Sequence, residues 1–219
     1  MLSTKLFDHT ILKADATRKD VKRVCDEAMA YSFCSVCVNS YYVPYVANLL
    51  HGSDVKICSV LGFPLGAMFT RAKALEAKIA VMDGADEIDM VINVGALKDR
   101  DYSVVLEDIK AVKEACGEHI LKVIIETCLL TDDEKVKACE LAKEAGADFV
   151  KTSTGFGSAG AKVEDVRLMR ETVGPDIGVK ASGGIHDKEF AKELVDAGAN
   201  RLGTSATIEI VESAFYDMG

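Results

Sequence analysis

This 219-residue chain has no long apolar run, no basic block and no low-complexity linker, and each absence removes a class of function. Lys and Arg total 26 against 35 Asp and Glu, a formal charge of −9, so no nucleic acid and no anionic membrane surface is expected as a partner. Any phosphate it binds must be met by local donors. The uncharged stretch that ends at Ser53 is broken by Asn39-Ser40, Pro44 and Asn48, which argues against a spanning helix. Residues 1–5 are too short for a charged region followed by an apolar signal core. The seven cysteines stand at 25, 34, 37, 58, 116, 128 and 139; an odd count without a leader predicts reduced thiols in a cytoplasmic protein. Cys34 and Cys37 are the one close pair. No second Cys or His pair follows at metal-site spacing, so buried structural thiols are expected and no metal.

What is present is alternation. Hydrophobic residues make up 49% and charged residues 28%, ordinary globular usage, and at about 150 residues per domain the expectation is one domain over 1–219. Short apolar runs at 6–11, 35–38, 56–61, 87–92, 121–125, 148–151, 178–181 and 201–202 predict strands. Amphipathic stretches at 18–31, 42–50, 70–82, 102–116, 132–145, 163–172, 187–197 and 206–216 predict helices. In 187–197, Phe190, Leu194 and Val195 share one face while Lys188, Glu189, Lys192 and Glu193 take the other. Three junctions repeat: Asp83-Gly84-Ala85-Asp86, Ala145-Gly146-Ala147-Asp148 and Ala197-Gly198-Ala199-Asn200, each closing a helix and opening a strand. Eight such units predict an α/β fold, a single (β/α)8 TIM barrel. The alternative is a doubly wound open sheet, but no Gly-x-Gly-x-x-Gly follows the first strand.

The informative residues are charges inside apolar strands. Asp89 lies in Glu87-Ile88-Asp89-Met90-Val91-Ile92, Lys122 precedes Val123-Ile124-Ile125, Lys151 follows Phe149-Val150, and Lys180 follows Ile177-Gly178-Val179. Parallel strands are buried on both faces, and an isolated charge there costs several kcal/mol, so these groups are expected to meet. One carboxylate among three lysines implies a positive cluster. A lysine beside another ammonium has its pKa lowered and becomes a neutral nucleophile able to form a Schiff base. A buried ion-pair network that only fixes register is the alternative.

Glycine- and hydroxyl-rich turns follow the late strands: Thr152-Ser153-Thr154-Gly155-Phe156-Gly157, Ala181-Ser182-Gly183-Gly184-Ile185 and Gly203-Thr204-Ser205-Ala206. Backbone N–H groups in such turns, followed by a helix start, suit a phosphate, and barrels often bind phosphate on their seventh and eighth loops. Asp8-His9 reads as a catalytic dyad or as a hydrogen-bonded pair under the pocket. Glu126 and Thr127 either bind substrate hydroxyls or satisfy Lys122. His51, His119 and His186 are expected on the solvent side, and no Gly-x-Ser-x-Gly surrounds Ser153 or Ser182.

Five segments together resemble the deoxyribose-phosphate aldolase family: Phe149-Val150-Lys151-Thr152-Ser153-Thr154-Gly155, Val179-Lys180-Ala181-Ser182-Gly183-Gly184-Ile185, Gly84-Ala85-Asp86-Glu87-Ile88-Asp89-Met90-Val91, Leu121-Lys122-Val123-Ile124-Ile125-Glu126-Thr127, and Asp8-His9-Thr10. The likeness spans nearly the whole chain. It implies a class I, metal-free aldolase without a cofactor, which cleaves 2-deoxy-D-ribose 5-phosphate to D-glyceraldehyde 3-phosphate and acetaldehyde. It also implies Lys151 as the Schiff-base lysine, Lys180 as the neighbour that lowers its pKa, and Asp89 as a proton shuttle. Gly183, Gly184, Gly203 and Ser205 match the family's phosphate cradle, Asp8, Lys122 and Thr154 match pocket positions, and Cys37 is expected at the mouth of the second strand. Some relatives carry a longer tail with a terminal tyrosine at the site; here Tyr216 either takes that role or packs against Phe215. Another Schiff-base barrel enzyme, a phosphosugar isomerase and a silent sugar-phosphate-binding barrel are the rival readings. Apolar side chains on outer helices make a homodimer or larger homo-oligomer the expected assembly.

Overall fold

The strand signals translate into a closed ring. The protein is described by a computed structural model over residues 2–216, with side chains through Glu212. Strands β1 (Phe7–Ile11), β2 (Ser35–Asn39), β3 (Lys56–Leu61), β4 (Glu87–Val91), β5 (Ile120–Ile124), β6 (Phe149–Lys151), β7 (Gly178–Ser182) and β8 (Arg201–Thr204) pair in parallel in that order. β8 returns to β1, with Phe7 opposite Leu202 and His9 opposite Thr204, so the sheet closes and the open-sheet alternative is excluded. The fold is a (β/α)8 barrel.

The helices that cross between strands are α1 (Arg18–Tyr31), α2 (Val43–Leu49), α3 (Thr70–Met82), α4 (Val94–Lys98), α5 (Tyr102–Cys116), α6 (Asp132–Glu144), α7 (Val163–Val173) and α8 (Lys188–Asp196), and α9 (Thr207–Tyr216) follows β8. Local chemistry sets their starts. Thr17 and Thr131 open α1 and α6 with reciprocal capping boxes to Asp20 and Glu134, which satisfies two orphan N–H groups at each end. Gly84 and Gly198 adopt φ of 111° and 116° after their helices, a region closed to most side chains. The short helix α4 was not foreseen. It is five residues long, capped by Asn93, and too brief to show a helical period.

Period two divides each strand between two environments. Outward residues such as Ile88, Met90, Leu121, Val123, Val150, Val179 and Leu202 are fully buried in one continuous apolar layer between barrel and helices. Inward residues include the charged groups of β1 and β4–β8 and a small cluster of Cys37, Cys58 and Val60 with Leu12 and Phe63, while Val91, Ile124 and Phe149 also take inward positions by register. No described helix is long and apolar enough to cross a membrane. The Tyr216 side chain lies outside the described side chains, as does its expected contact with Phe215.

The outer layer also holds buried ion pairs, the more enclosed of them on α3 and α5. Lys73 of α3 donates to Asp108 of α5 at 2.6 Å and to the Val91 carbonyl at 2.9 Å, tying two helices to the top of β4. Lys73 is fully enclosed. Asp108→Ala would strand that ammonium, and a loss of about 3–5 kcal/mol is expected in urea denaturation; adding Lys73→Met should recover most of it. No recovery in the double variant would show that the loss came from packing at Asp108.

Candidate active site

Strand order brings the separate charges to one axis. Asp89 of β4 is the hub. Its Oδ1 accepts from Lys122 of β5 at 2.8 Å and from the Cys58 thiol of β3 at 3.2 Å; its Oδ2 accepts from Lys151 of β6 at 2.7 Å and Lys180 of β7 at 2.8 Å. Lys151 and Lys180 are direct Cα partners on adjacent strands, so both side chains project inward side by side. All four charged residues are enclosed, and Lys151 keeps 2% exposure.

A second tier lies below. Asp8 of β1 accepts from Ser35 at 2.7 Å and from Arg201 of β8 at 2.8 Å, and its other oxygen sits 2.5 Å from Lys180 Nζ. Glu87 of β4 lies 2.6 Å from Lys122 Nζ and 3.0 Å from Arg201. The expectation of one carboxylate among three lysines is therefore corrected. Among the described interior residues three carboxylates, Asp8, Glu87 and Asp89, face four cations, Lys122, Lys151, Lys180 and Arg201. Glu87 and Arg201 escaped notice because a charge that opens a strand resembles a solvent-facing end. Their signal was period two, counting back from Asp89 and Gly203.

The electrostatics follow from burial opposed by pairing. Burial alone would raise the Asp89 carboxyl, but Lys122, Lys151 and Lys180 outweigh it and hold it well below the ordinary range. Asp8 behaves likewise, with burial overcome by Lys180, Lys122 and Arg201. Burial opposes charge on Lys180 and Lys122 too, yet the facing carboxylates, Asp8 and Asp89 for Lys180 and Asp89 first for Lys122, keep both above the usual lysine value. Lys180 is thus a fixed ammonium beside Lys151.

Above this cluster opens a cavity of about 750 Å³ at the C-terminal ends of the strands. Lys151 reaches its floor. Of the other expected residues, Thr154, Gly183, Gly184, Gly203 and Ser205 line it, while Asp8, Cys37, Lys122, Asp89 and Lys180 sit beneath it in the barrel interior. Cys37 lies in the middle of β2 and is fully buried, so it is not at the strand's mouth. Thr154 is tied to Glu126, whose carboxylate accepts from the Thr154 N–H at 3.2 Å and from its hydroxyl. That contact, and not Lys122, is what Glu126 satisfies.

Two loops face each other across the cavity's far wall. Gly183 and Gly184 take φ of 82° and 73°, which turns successive N–H groups along the loop after β7. Thr204 clamps this loop to the next one: its hydroxyl donates to the Ile185 carbonyl at 2.7 Å and accepts from the Ala206 N–H at 3.0 Å, just before α9 begins. Gly203 has a second task, because a Cβ there would stand 2.9 Å from Lys180 Cε. Lys13, Arg23 and His186 also border the cavity and were not assigned to it from sequence; His186, read as solvent-side, is exposed at this rim.

Asp8 and His9 do not form a dyad or a pair. Neighbours on a strand point to opposite faces, and His9 turns outward to Glu27 at 2.7 Å and Thr207 at 3.0 Å. Cys34 and Cys37 are likewise no pair; the thiol next to Cys37 belongs to Cys58, its register partner on β3.

The chain matches the family model described as DeoC/LacD family aldolase over residues 2–209. It is 63% identical over 211 residues to the deoxyribose-phosphate aldolase of Clostridium tetani, covering 96% of this chain and 98% of that protein. It is 60% identical over 212 residues to that of Lactococcus lactis, covering 97% and 96%. Among solved structures, a tetrameric deoxyribose phosphate aldolase from Aeropyrum pernix superposes with a TM-score of 0.89 at 32% identity, covering 99% of this chain and 92% of that one.

The interior cluster carries a pH signature. A carboxyl held below its unfolded value adds stability that is present above that unfolded value and is lost as pH falls through the folded one. Asp8→Asn should cost about 3–5 kcal/mol near pH 7, because Lys180 and Arg201 lose a buried counter-charge. The gap between the two proteins should narrow progressively below about pH 4, where the unfolded carboxyl becomes protonated. Denaturant melts at pH 7 and pH 3 measure both values, and an equal gap at the two pH values would contradict the assignment.

Proposed function

We infer the reaction from one premise: the chain belongs to the DeoC/LacD family of aldolases. It is a lyase, a class I deoxyribose-phosphate aldolase, which reversibly cleaves 2-deoxy-D-ribose 5-phosphate to D-glyceraldehyde 3-phosphate and acetaldehyde. The observation that carries the reading is Lys151, the one amine of the buried lysine cluster that reaches the cavity floor, held 2.7 Å from Asp89.

In this reading the Lys151 amine attacks the C1 aldehyde of the open-chain sugar, and loss of water gives an iminium. A neutral amine at Lys151 leaves three carboxylates facing three cations, so the interior is balanced when the nucleophile is ready. The C3 hydroxyl then loses its proton, the C2–C3 bond breaks, and its electron pair flows into the iminium to leave an enamine. Glyceraldehyde phosphate departs. Protonation of the enamine at C2 and hydrolysis release acetaldehyde and restore the lysine.

Asp89 Oδ2 accepts from Lys151 and Lys180 together, so it couples the two amines. A carboxylate held so strongly as an anion keeps a proton only in passing, which suits a relay, with water completing the path to the substrate oxygens. Lys180 supplies a fixed positive charge beside Lys151 on the adjacent strand. Gly183, Gly184, Gly203 and Ser205 form the phosphate end of the cavity, with α9 starting directly behind them. Thr154 lines the sugar end, while Asp8, Lys122 and Cys37 shape it from below. The whole chain acts as one catalytic domain in the cytoplasm. Exposed Leu75, Ile79 and Met82 on α3 support a homodimer or larger homo-oligomer.

Borohydride trapping with acetaldehyde tests the reading. An ethyl-sized mass increment mapping to Lys151, absent in Lys151→Leu, is expected together with turnover of deoxyribose 5-phosphate. An adduct that persists in Lys151→Leu, or none at all, would remove the chemical basis and favour an isomerase or a binding protein. Gly203→Ala should lower turnover by at least about tenfold while leaving the adduct on Lys151, because the new methyl displaces Lys180, which helps to hold the Asp89 relay, and a well-placed proton-transfer group contributes on that scale or more.

A further inference from the structure

The barrel interior holds a second constellation that the aldolase chemistry does not use as ligands. Cys37 of β2, Cys58 of β3 and Asp89 of β4 stand on three consecutive strands and all point inward. Register makes Cys37 the partner of Cys58 and sets Val60, two residues on, against Asp89. The two Sγ atoms and an Asp89 carboxylate oxygen lie within 4.8 Å of one another, and all three residues are buried. Asp8 and Glu87 form a second such triad around the same Cys58.

We propose that Cys37, Cys58 and Asp89 form an inhibitory binding site for a thiophilic divalent cation of the zinc or cadmium kind. Two thiolates and one carboxylate are a soft donor set that selects such ions over magnesium and calcium. Tetrahedral zinc with bonds of about 2.3 Å to sulfur places its two sulfurs roughly 3.8 Å apart, so the thiols need only a small closure to share an ion. A disulfide would need them to close to about 2.05 Å. A water, or a carboxylate oxygen of Asp8 or Glu87, completes four-coordination.

Binding forms two metal–sulfur bonds and one metal–oxygen bond and releases two thiol protons to solvent; no electron moves. The ion brings two positive charges and the thiolates two negative ones, so the interior keeps the charge it had. That balance matters, because Lys122, Lys151 and Lys180 all face Asp89, and Lys122 Nζ also lies 3.4 Å from Cys58 Sγ.

An ion held here draws Asp89 off Lys151 and Lys180, so aldol turnover falls as the site fills and returns on chelation. This consequence rests on the function proposed above; the binding does not.

The test uses reduced, chelator-free full-length protein titrated with Co2+ and with Zn2+. One equivalent of Co2+ should give a near-ultraviolet thiolate-to-cobalt band, and one equivalent of Zn2+ should displace it and release two protons in weak buffer. Cys58→Ala should lose at least about 100-fold in affinity, beyond the usual effect of removing an outer-shell partner. Cys37→Ala should do the same. Cys34→Ala and Cys128→Ala, which remove the partly exposed thiols, should bind as before. Circular dichroism and thermal melting of each metal-free variant show that its barrel is folded. A band that survives in Cys58→Ala, or a folded wild type that binds no ion, overturns the site. Binding without inhibition overturns the coupling to Asp89, and a failed lysine adduct with intact binding counts against the aldolase reading alone.

Discussion

Four donors converge on the Asp89 carboxylate, and most of what the barrel interior does follows from that convergence. An unpaired carboxylate at such depth would cost several kcal/mol, and so would each unpaired lysine. Sharing resolves both penalties and ties β3, β4, β5, β6 and β7 to one another through side chains as well as backbone. It also poses Lys151. The side chain ends at the cavity floor because its amine is held from below, and the same carboxylate connects it to Lys180. Asp8 and Glu87 extend the arrangement downward, so that the excess of positive charge is a single unit and not the larger one a lone carboxylate would leave.

The two faces of the sheet have divided the work. Outward residues build a continuous apolar layer with the helices, and that layer carries the ordinary burden of stability. Inward residues are spared that burden and hold polar groups that a two-sided core could not accommodate. Glycine makes room where two large groups meet on the inside. Gly178 faces the Phe149 ring, where a Cβ would come within 2.1 Å, and Gly203 leaves space for Lys180. Above the strands, Thr204 binds the seventh and eighth loops into one unit, so the end of the cavity assigned to phosphate is held by the scaffold and not by a free loop.

Legibility from the sequence tracked the distance over which each signal acts. Apolar runs and helical spacing act locally, and the bounds of α1, α3 and α5 agree to the residue. Charges that interrupt an apolar run are equally local, which is why Asp89, Lys122, Lys151 and Lys180 stood out and were expected to meet. Glu87 and Arg201 begin their strands, where a charge carries no such signal. Cys58 sits among apolar residues and reads as one of them. The Asp8-His9 expectation failed for a different reason: adjacency in sequence suggested a pair, whereas the pleat sends neighbours to opposite faces.

The sequence by itself determined the alternation of eight strands with helices, the inward placement of four charges, and the family likeness of the segments that carry them. Periodicity and composition are properties of short windows, and the chain displays them before it folds. Only the tertiary structure decided how the interior charge is balanced, that Lys151 alone of its cluster meets the cavity, and that Cys37 has Cys58 for a neighbour and not Cys34. Those facts depend on strand register and on ring closure, which bring residues as far apart as Asp8 and Arg201 to 2.8 Å. Register is set by the sum of many weak pairings across the sheet, and no short window of sequence contains that sum.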